Sequence, residues 1–279
     1  MENTLLVPID FSQQSLIALD QALGLAESSN LSVTIMTVVK TNSNFWGVFS
    51  EDEQKDLEIK IEQKLKKLAN ESKEQRNVEV YSIIRRGKVV DEILRVADHL
   101  KPKMLIMGTT AGINITRKII GSRALHIIKT SPYPVLSIKG KVHSKGCENI
   151  LLPIDATKHT EQKVKMTIEI AKWFNSKITI LTALEKNNQD KIDIVNTKLQ
   201  NIKTEIEAHQ IVCDTEYLYT DDDRGIMATS IVGFAHKVQA DLMVLMTQQE
   251  GSFKEFFLGS LAKNIIFSSD IPVLTINPQ

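Results

Sequence analysis

Leu5-Leu6-Val7-Pro8-Ile9-Asp10-Phe11-Ser12, near the start of the chain, returns 145 residues later as Ile150-Leu151-Leu152-Pro153-Ile154-Asp155-Ala156-Thr157. Each run is short and apolar, then breaks into an aspartate and a hydroxyl residue, the pattern of a buried strand that gives way to a helix. A repeat of this kind sets the architecture before any single element is assigned. At the same offset Val33-Thr34-Ile35-Met36-Thr37-Val38 falls on Ile178-Thr179-Ile180-Leu181-Thr182-Ala183. Further on the offset becomes 138, where Arg86-Gly87 meets Arg224-Gly225, Gly121-Ser122 meets Gly259-Ser260, and Ser137-Ile138 meets Thr275-Ile276. The second copy is therefore seven residues shorter, and the shortening is expected after the second strand. There the first copy carries Thr41 to Ser50, with Phe45-Trp46-Gly47-Val48-Phe49, while the second runs through Glu185-Lys186-Asn187-Asn188 into a helical stretch. Between the copies, the polar segment from Lys139 to Cys147 with its two glycines reads as a linker, which predicts domains at 1–140 and 148–279.

Within each copy, short β-branched runs alternate with longer segments of 3.6-residue period. In the first, Leu5 to Ile9, Leu31 to Val39, Val78 to Ile84, Met104 to Met107 and Pro134 to Ile138 read as strands. Ser12 to Ser28, Glu51 to Asn70, Lys88 to His99 and Ser122 to Lys129 read as helices. The second copy follows with strands near Ile150, Ile178, Asp214, Leu242 and Pro272. Strands apolar along their whole length and separated by helices belong to a parallel sheet covered on both faces. The predicted fold class is α/β: two tandem doubly wound domains, each with a five-stranded parallel sheet in the order 3-2-1-4-5.

Bulk properties narrow the function. The 34 basic and 34 acidic residues cancel, so the broad positive field that non-specific DNA or RNA binding needs is missing. Cys147 and Cys213 form no Cys-x-x-Cys pair and no metal-ligand spacing with the six histidines, and read as unpaired thiols in a reducing compartment. No run of 18 apolar residues is present to span a bilayer, and the Leu5-Leu6-Val7-Pro8 run is too short for a secretory signal; the expected address is cytoplasmic. Nucleophile elbows, His-Glu-x-x-His pairs and P-loops are all missing from the sequence.

In an open parallel sheet, ligands bind beyond the carboxyl ends of the strands where the strand order reverses, here between the first and fourth strands. Past the first come Asp10, Phe11 and Ser12; past the fourth come Gly108, Thr109, Thr110, Ala111 and Gly112; then Gly121-Ser122 opens the last helix. Glycine lets backbone N–H groups approach phosphate oxygens, and a helix N-terminus adds unsatisfied donors. Each of these residues also has a structural reading: Asp10 or Ser12 as helix cap, Gly108 as a turn residue, Ser122 as N-cap. The stretch Met107-Gly108-Thr109-Thr110-Ala111, nine further residues, Gly121-Ser122, then Ser131-Pro132-Tyr133-Pro134-Val135-Leu136, resembles the Gly-x2-Gly-x9-Gly-Ser/Thr signature of the universal stress proteins. The opening Val7-Pro8-Ile9-Asp10-Phe11-Ser12 supports it, and the similarity covers nearly the whole chain twice.

That resemblance implies ATP in the first copy, with magnesium alongside it, and a site made by Pro8, Asp10, Val38, Met107, Gly108, Ala111, Gly112, Gly121, Ser122 and Arg123. Asp10 and Val38 would face the adenine; Gly108, Gly121, Ser122 and Arg123 would lie near ribose and phosphates. The second glycine of the signature is replaced by Ala111, with Gly112 displaced by one position. In the second copy Met246 stands for Gly108, Gln249 for Ala111, and Glu255-Phe256 for Arg117-Lys118, so that copy is expected to be nucleotide-free or to hold something else, although Asp155, Gly259 and Ser260 remain. Relatives pair their last strands across a twofold axis, which implies an intrachain pseudo-dimer open to further homodimer formation. Phe45 to Phe49 reads as a lid, a docking patch for an unknown protein partner, or a loop packed on its own domain; Phe253, Phe256 and Phe257 read as core or as surface. The expected function is a cytoplasmic stress-response regulator, with ATP hydrolysis slow at most. The rivals are a nucleotide-free scaffold and an adenine-nucleotide-cleaving enzyme.

Overall fold

The computed structural model describes residues 3–40, 50–109, 120–140, 147–154, 160–184, 189–219, 224–247 and 259–278. The chain divides into two compact units, one for each copy of the repeat. In the first, β1 (Thr4–Pro8), α1 (Gln13–Ser29), β2 (Ser32–Val39), α2 (Glu51–Arg76), β3 (Val80–Arg86), α3 (Val89–Leu100), β4 (Met104–Gly108), α4 (Ser122–Thr130) and β5 (Val135–Ile138) alternate along the chain. The strands are parallel and ordered β3-β2-β1-β4-β5, with Val7 opposite Ile35 and Leu6 opposite Leu105. Helices α1 and α2 pack together on the sheet, as do α3 and α4. Central strands sandwiched in this way lose all contact with water, which is why Leu5, Leu6, Ile35, Met36, Leu105 and Ile106 carry no polar alternation.

The second unit repeats the order with β6 (Asn149–Ile154), α5 (Glu161–Phe174), β7 (Lys177–Leu184), α6 (Gln189–Glu207), β8 (Cys213–Tyr219), α7 (Arg224–Lys237), β9 (Leu242–Met246), α8 (Ser260–Ser268) and β10 (Val273–Ile276). Its strands run parallel in the order β8-β7-β6-β9-β10. The predicted five-stranded doubly wound class is therefore observed twice. Among the described residues no helix is long and apolar enough to cross a membrane.

Two expectations about the elements change. Helix α2 runs to Arg76 rather than Asn70, because its last turns are tied down: Lys67 pairs with Glu71, and Arg76 reaches Asp20 and Glu27 on α1. Asn77, at φ 52°, then ends the helix in the left-handed conformation, as Asn30 does for α1 and Asn175 for α5. Asparagine tolerates that region better than other side chains that carry a Cβ. The other change concerns the repeat register. Val33 pairs with Val80 and Ile178 with Cys213, so the edge strands correspond at an offset of 133, not 138. Arg86 closes β3 whereas Arg224 opens α7, and the residue matching Arg86 is Tyr219. The second copy thus loses twelve residues between its second and third strands and regains five between β8 and β9.

Candidate functional site

In the first unit the strand order reverses between β1 and β4, so the crevice expected at such a switch point lies at their carboxyl ends. Pro8 closes β1, and Asp10 follows it, exposed. The Asp10 carboxylate accepts the Ser12 backbone N–H at 3.0 Å, and the Ser12 hydroxyl accepts the Ser15 N–H at 3.3 Å, which makes Ser12 the N-cap of α1. Partial burial pushes the Asp10 carboxyl up, but hydrogen bonds from Ser12 and Ser15 outweigh it and hold the group below the usual aspartate value. It is an anion at neutral pH. Between Asp10 and Ser12, Phe11 adopts φ 60°, a region that costs a residue with a Cβ roughly 1–2 kcal/mol. The Lys64 ammonium from α2 lies 4.3 Å from the centre of the Phe11 ring, a contact worth about 0.5–1 kcal/mol at an exposed site. The two magnitudes are comparable, so α2 offsets a good part of the strain. Val38, half-buried, lies near the end of the neighbouring β2.

Across the crevice, buried Met107 and half-buried Gly108 end β4. A Cβ on Gly108 would lie 2.6 Å from the Gln14 carbonyl oxygen and 2.7 Å from its carbon, so glycine is required there by the first turn of α1 whether or not a ligand binds. Helix α4 starts at Ser122 with Gly121, not Ser122, as its N-cap, and no side chain caps it. Ser122 and Arg123 are exposed on that first turn. Ala111 and Gly112 lie outside the described residues, as do Arg117, Lys118, the Phe45–Phe49 segment, Asp155, Gln249, Phe253, Glu255, Phe256 and Phe257.

A framework that sequence reading passed over joins these parts. Thr109, buried, donates its backbone N–H to the Ile138 carbonyl at 3.0 Å and accepts the Gly121 N–H at 3.0 Å on its own carbonyl. In the second unit Thr247 does the same with Ile276 at 2.9 Å and Gly259 at 2.7 Å. Likewise Thr37 and Thr182 donate their hydroxyls to the carbonyls of Ile9 and Ile154. The signal was present in the repeat: each pair of threonines coincides at the offset already in hand. The same strand-end scaffold, built twice, agrees with the comparison of the sequence against known families, in which the Universal stress protein family matches residues 1–139 and again residues 146–277.

The chain belongs to the universal stress protein family.

Among relatives, it is 28% identical over 142 residues to Universal stress protein MJ0531 of Methanocaldococcus jannaschii, covering 48% of this chain and 81% of that one. It is 28% identical over 148 residues to Universal stress protein YxiE of Bacillus subtilis, covering 50% of this chain and all of the relative. A universal stress protein structure from Archaeoglobus fulgidus matches over 99% of this chain and 96% of its own, with TM-score 0.76 and 19% identity, a likeness of fold.

As a universal stress protein, this chain has two unequal copies. Met246 occupies the end of β9 where β4 has Gly108. Helix α5 begins at Glu161, three residues later in the repeat than α1, although both helices end at matching asparagines. Lys163, where α1 has Ala18, is buried and donates its ammonium to the Pro153 carbonyl at the carboxyl end of β6. Burial keeps both thiols in the protonated form at neutral pH, pushing Cys147 far above the usual thiol range and Cys213 up to about 12. Among the described residues no three His, Cys, Asp or Glu side chains gather to hold a metal.

Proposed function

We propose that this protein is a cytoplasmic stress-response regulator that binds one adenine nucleotide per chain, ATP with magnesium, in the crevice of the first unit. The observation that carries the reading is the asymmetry at the end of the fourth strand: the first unit has Gly108 there, with an anionic Asp10 after β1 and the start of α4 at Gly121, while the second unit has Met246. Pro8, Asp10 and Val38 would hold the base, and the N-terminus of α4, with Gly121, Ser122 and Arg123, would face the phosphates, where backbone donors and the helix dipole favour negative charge. This reading also counts Met107, Gly108, Ala111 and Gly112 among the nucleotide-binding residues. Occupancy would bias the choice of a protein partner, as a ligand does when it favours one conformation. In this reading any turnover of the bound ATP is slow at most.

A second reading, a nucleotide-free scaffold, is favoured by Gly108, which α1 packing requires without any ligand. Calorimetric titration of ATP, with and without magnesium, separates the two. The nucleotide reading expects one site per chain that Asp10→Ala and Gly121→Val both abolish. No heat from the parent protein would leave the scaffold standing, and rapid release of phosphate would point to an enzyme.

A further inference from the structure

We propose that Lys64 is a positioning residue for the first crevice: its ammonium, seated on the Phe11 ring, holds the β1–α1 turn in the left-handed conformation that sets Asp10 and Ser12. The assignment rests in part on the nucleotide reading, because Asp10 is the group it positions. Its basis is geometric. Phe11 has φ 60°, its two neighbours make the Asp10–Ser12 hydrogen bond at 3.0 Å, and Lys64 is 4.3 Å from the ring centre.

The charge pattern of α2 explains why this lysine is available. Lys66 and Lys67 have carboxylates four residues away and pair with Glu62 and Glu71. The residues three and four positions from Lys64 are Lys60, Ile61, Lys67 and Leu68, none of them acidic, and among the described residues Lys64 joins no ion pair. An ammonium without a carboxylate in reach on its own helix, facing an aromatic ring across to another element, finds its partner in the ring's negative face. The second copy has lost both members together. Ala156 stands at the position of Phe11, and Thr197 at the position of Lys64 when counted from the edge strand. The copy that lacks the ring lacks the cation.

A double-mutant cycle on the full chain tests this, with Lys64→Met, Lys64→Arg, Phe11→Gly and the Phe11→Gly/Lys64→Met pair, read by ATP affinity with magnesium and by NMR titration of the Asp10 carboxyl without nucleotide. Lys64→Met should weaken ATP about three- to fivefold, and Lys64→Arg should restore it, since arginine also sits over aromatic rings. In the Phe11→Gly background, where glycine takes the left-handed conformation freely, Lys64→Met should have no effect. An equal loss in both backgrounds would overturn the proposal and mean that Lys64 meets the ligand itself; no loss in either would overturn it too. Should the parent fail to bind ATP, the nucleotide reading falls, and the titration of Asp10 decides alone. A rise on Lys64→Met, absent for Lys64→Arg and for the double variant, supports the clamp; an unchanged Asp10 sinks it.

Discussion

At Gly108 the missing side chain matters more than any group present. A Cβ there would press on the Gln14 backbone at 2.6 Å, and backbone in a helix's first turn has no rotamer with which to retreat. Gly259, the N-cap of α8, is the contrast: its Cβ would meet the Thr247 carbonyl oxygen at 3.5 Å, ordinary contact. Gly108→Ala should therefore destabilise the first unit by about 1–3 kcal/mol, the usual range for overpacking. Gly259→Ala should cost no more than about 1 kcal/mol, the size of a weakened cap. Urea unfolding of the two variants checks this, and equal losses would contradict it.

At the scale of elements, helix ends decide where each segment stops. Asn30, Asn77 and Asn175 close three helices in the left-handed conformation, each donating its backbone N–H to a carbonyl four residues back. At the other end of α2, Ser50 and Glu53 form a reciprocal capping box, with the Glu53 carboxylate accepting the Ser50 N–H at 2.8 Å, and Glu51, Asp52 and Glu53 suit the positive end of the helix dipole. The first turns of α2 bury little, so this cap is a large share of what orders them. Ser50→Ala should cost about 1 kcal/mol and appear as faster amide exchange confined to those turns, with protection around buried Leu65 and Ala69 unchanged. Uniform loss of protection along α2 would show that the cap is not local. Lys64 lies beyond these turns, and its contact with Phe11 is what α2 contributes to the crevice.

At the scale of the whole molecule, both thiols belong to the second unit and both are buried. A group whose folded pKa is raised above its unfolded value stabilises fully below the unfolded value and loses that contribution as pH rises. Unfolded thiols titrate near ~8.5. Above that pH the unfolded chain gains thiolates that the fold still refuses, so the second unit should lose stability through the alkaline range towards the folded value of about 12 for Cys213. At pH 8 an aromatic disulfide reagent should leave both cysteines unmodified until denaturant opens that unit, and then label two per chain. Prompt labelling of the folded protein would refute the burial argument.

The repeat, the strand and helix order, the parallel sheets and the family resemblance were legible in the residues alone. Each is written locally, as an apolar run, a 3.6-residue period or a spacing of glycines, and local signals survive without knowledge of what packs where. Asp10, Gly121 and Ser122 could be pointed to for the same reason, since strand ends and helix starts fall where periodicity changes, whereas Val38 entered only through the family resemblance. The tertiary structure alone decided the rest. It moved the edge-strand register from 138 to 133, because identical Arg-Gly pairs can occupy a strand end in one copy and a helix start in the other while hydrogen bonding between strands fixes the true partners. It made Gly108 a matter of α1 packing, paired Lys64 with Phe11, and buried Lys163 against Pro153. Those are contacts between different elements, and side-chain pattern within one segment carries no information about the shape that meets it from another.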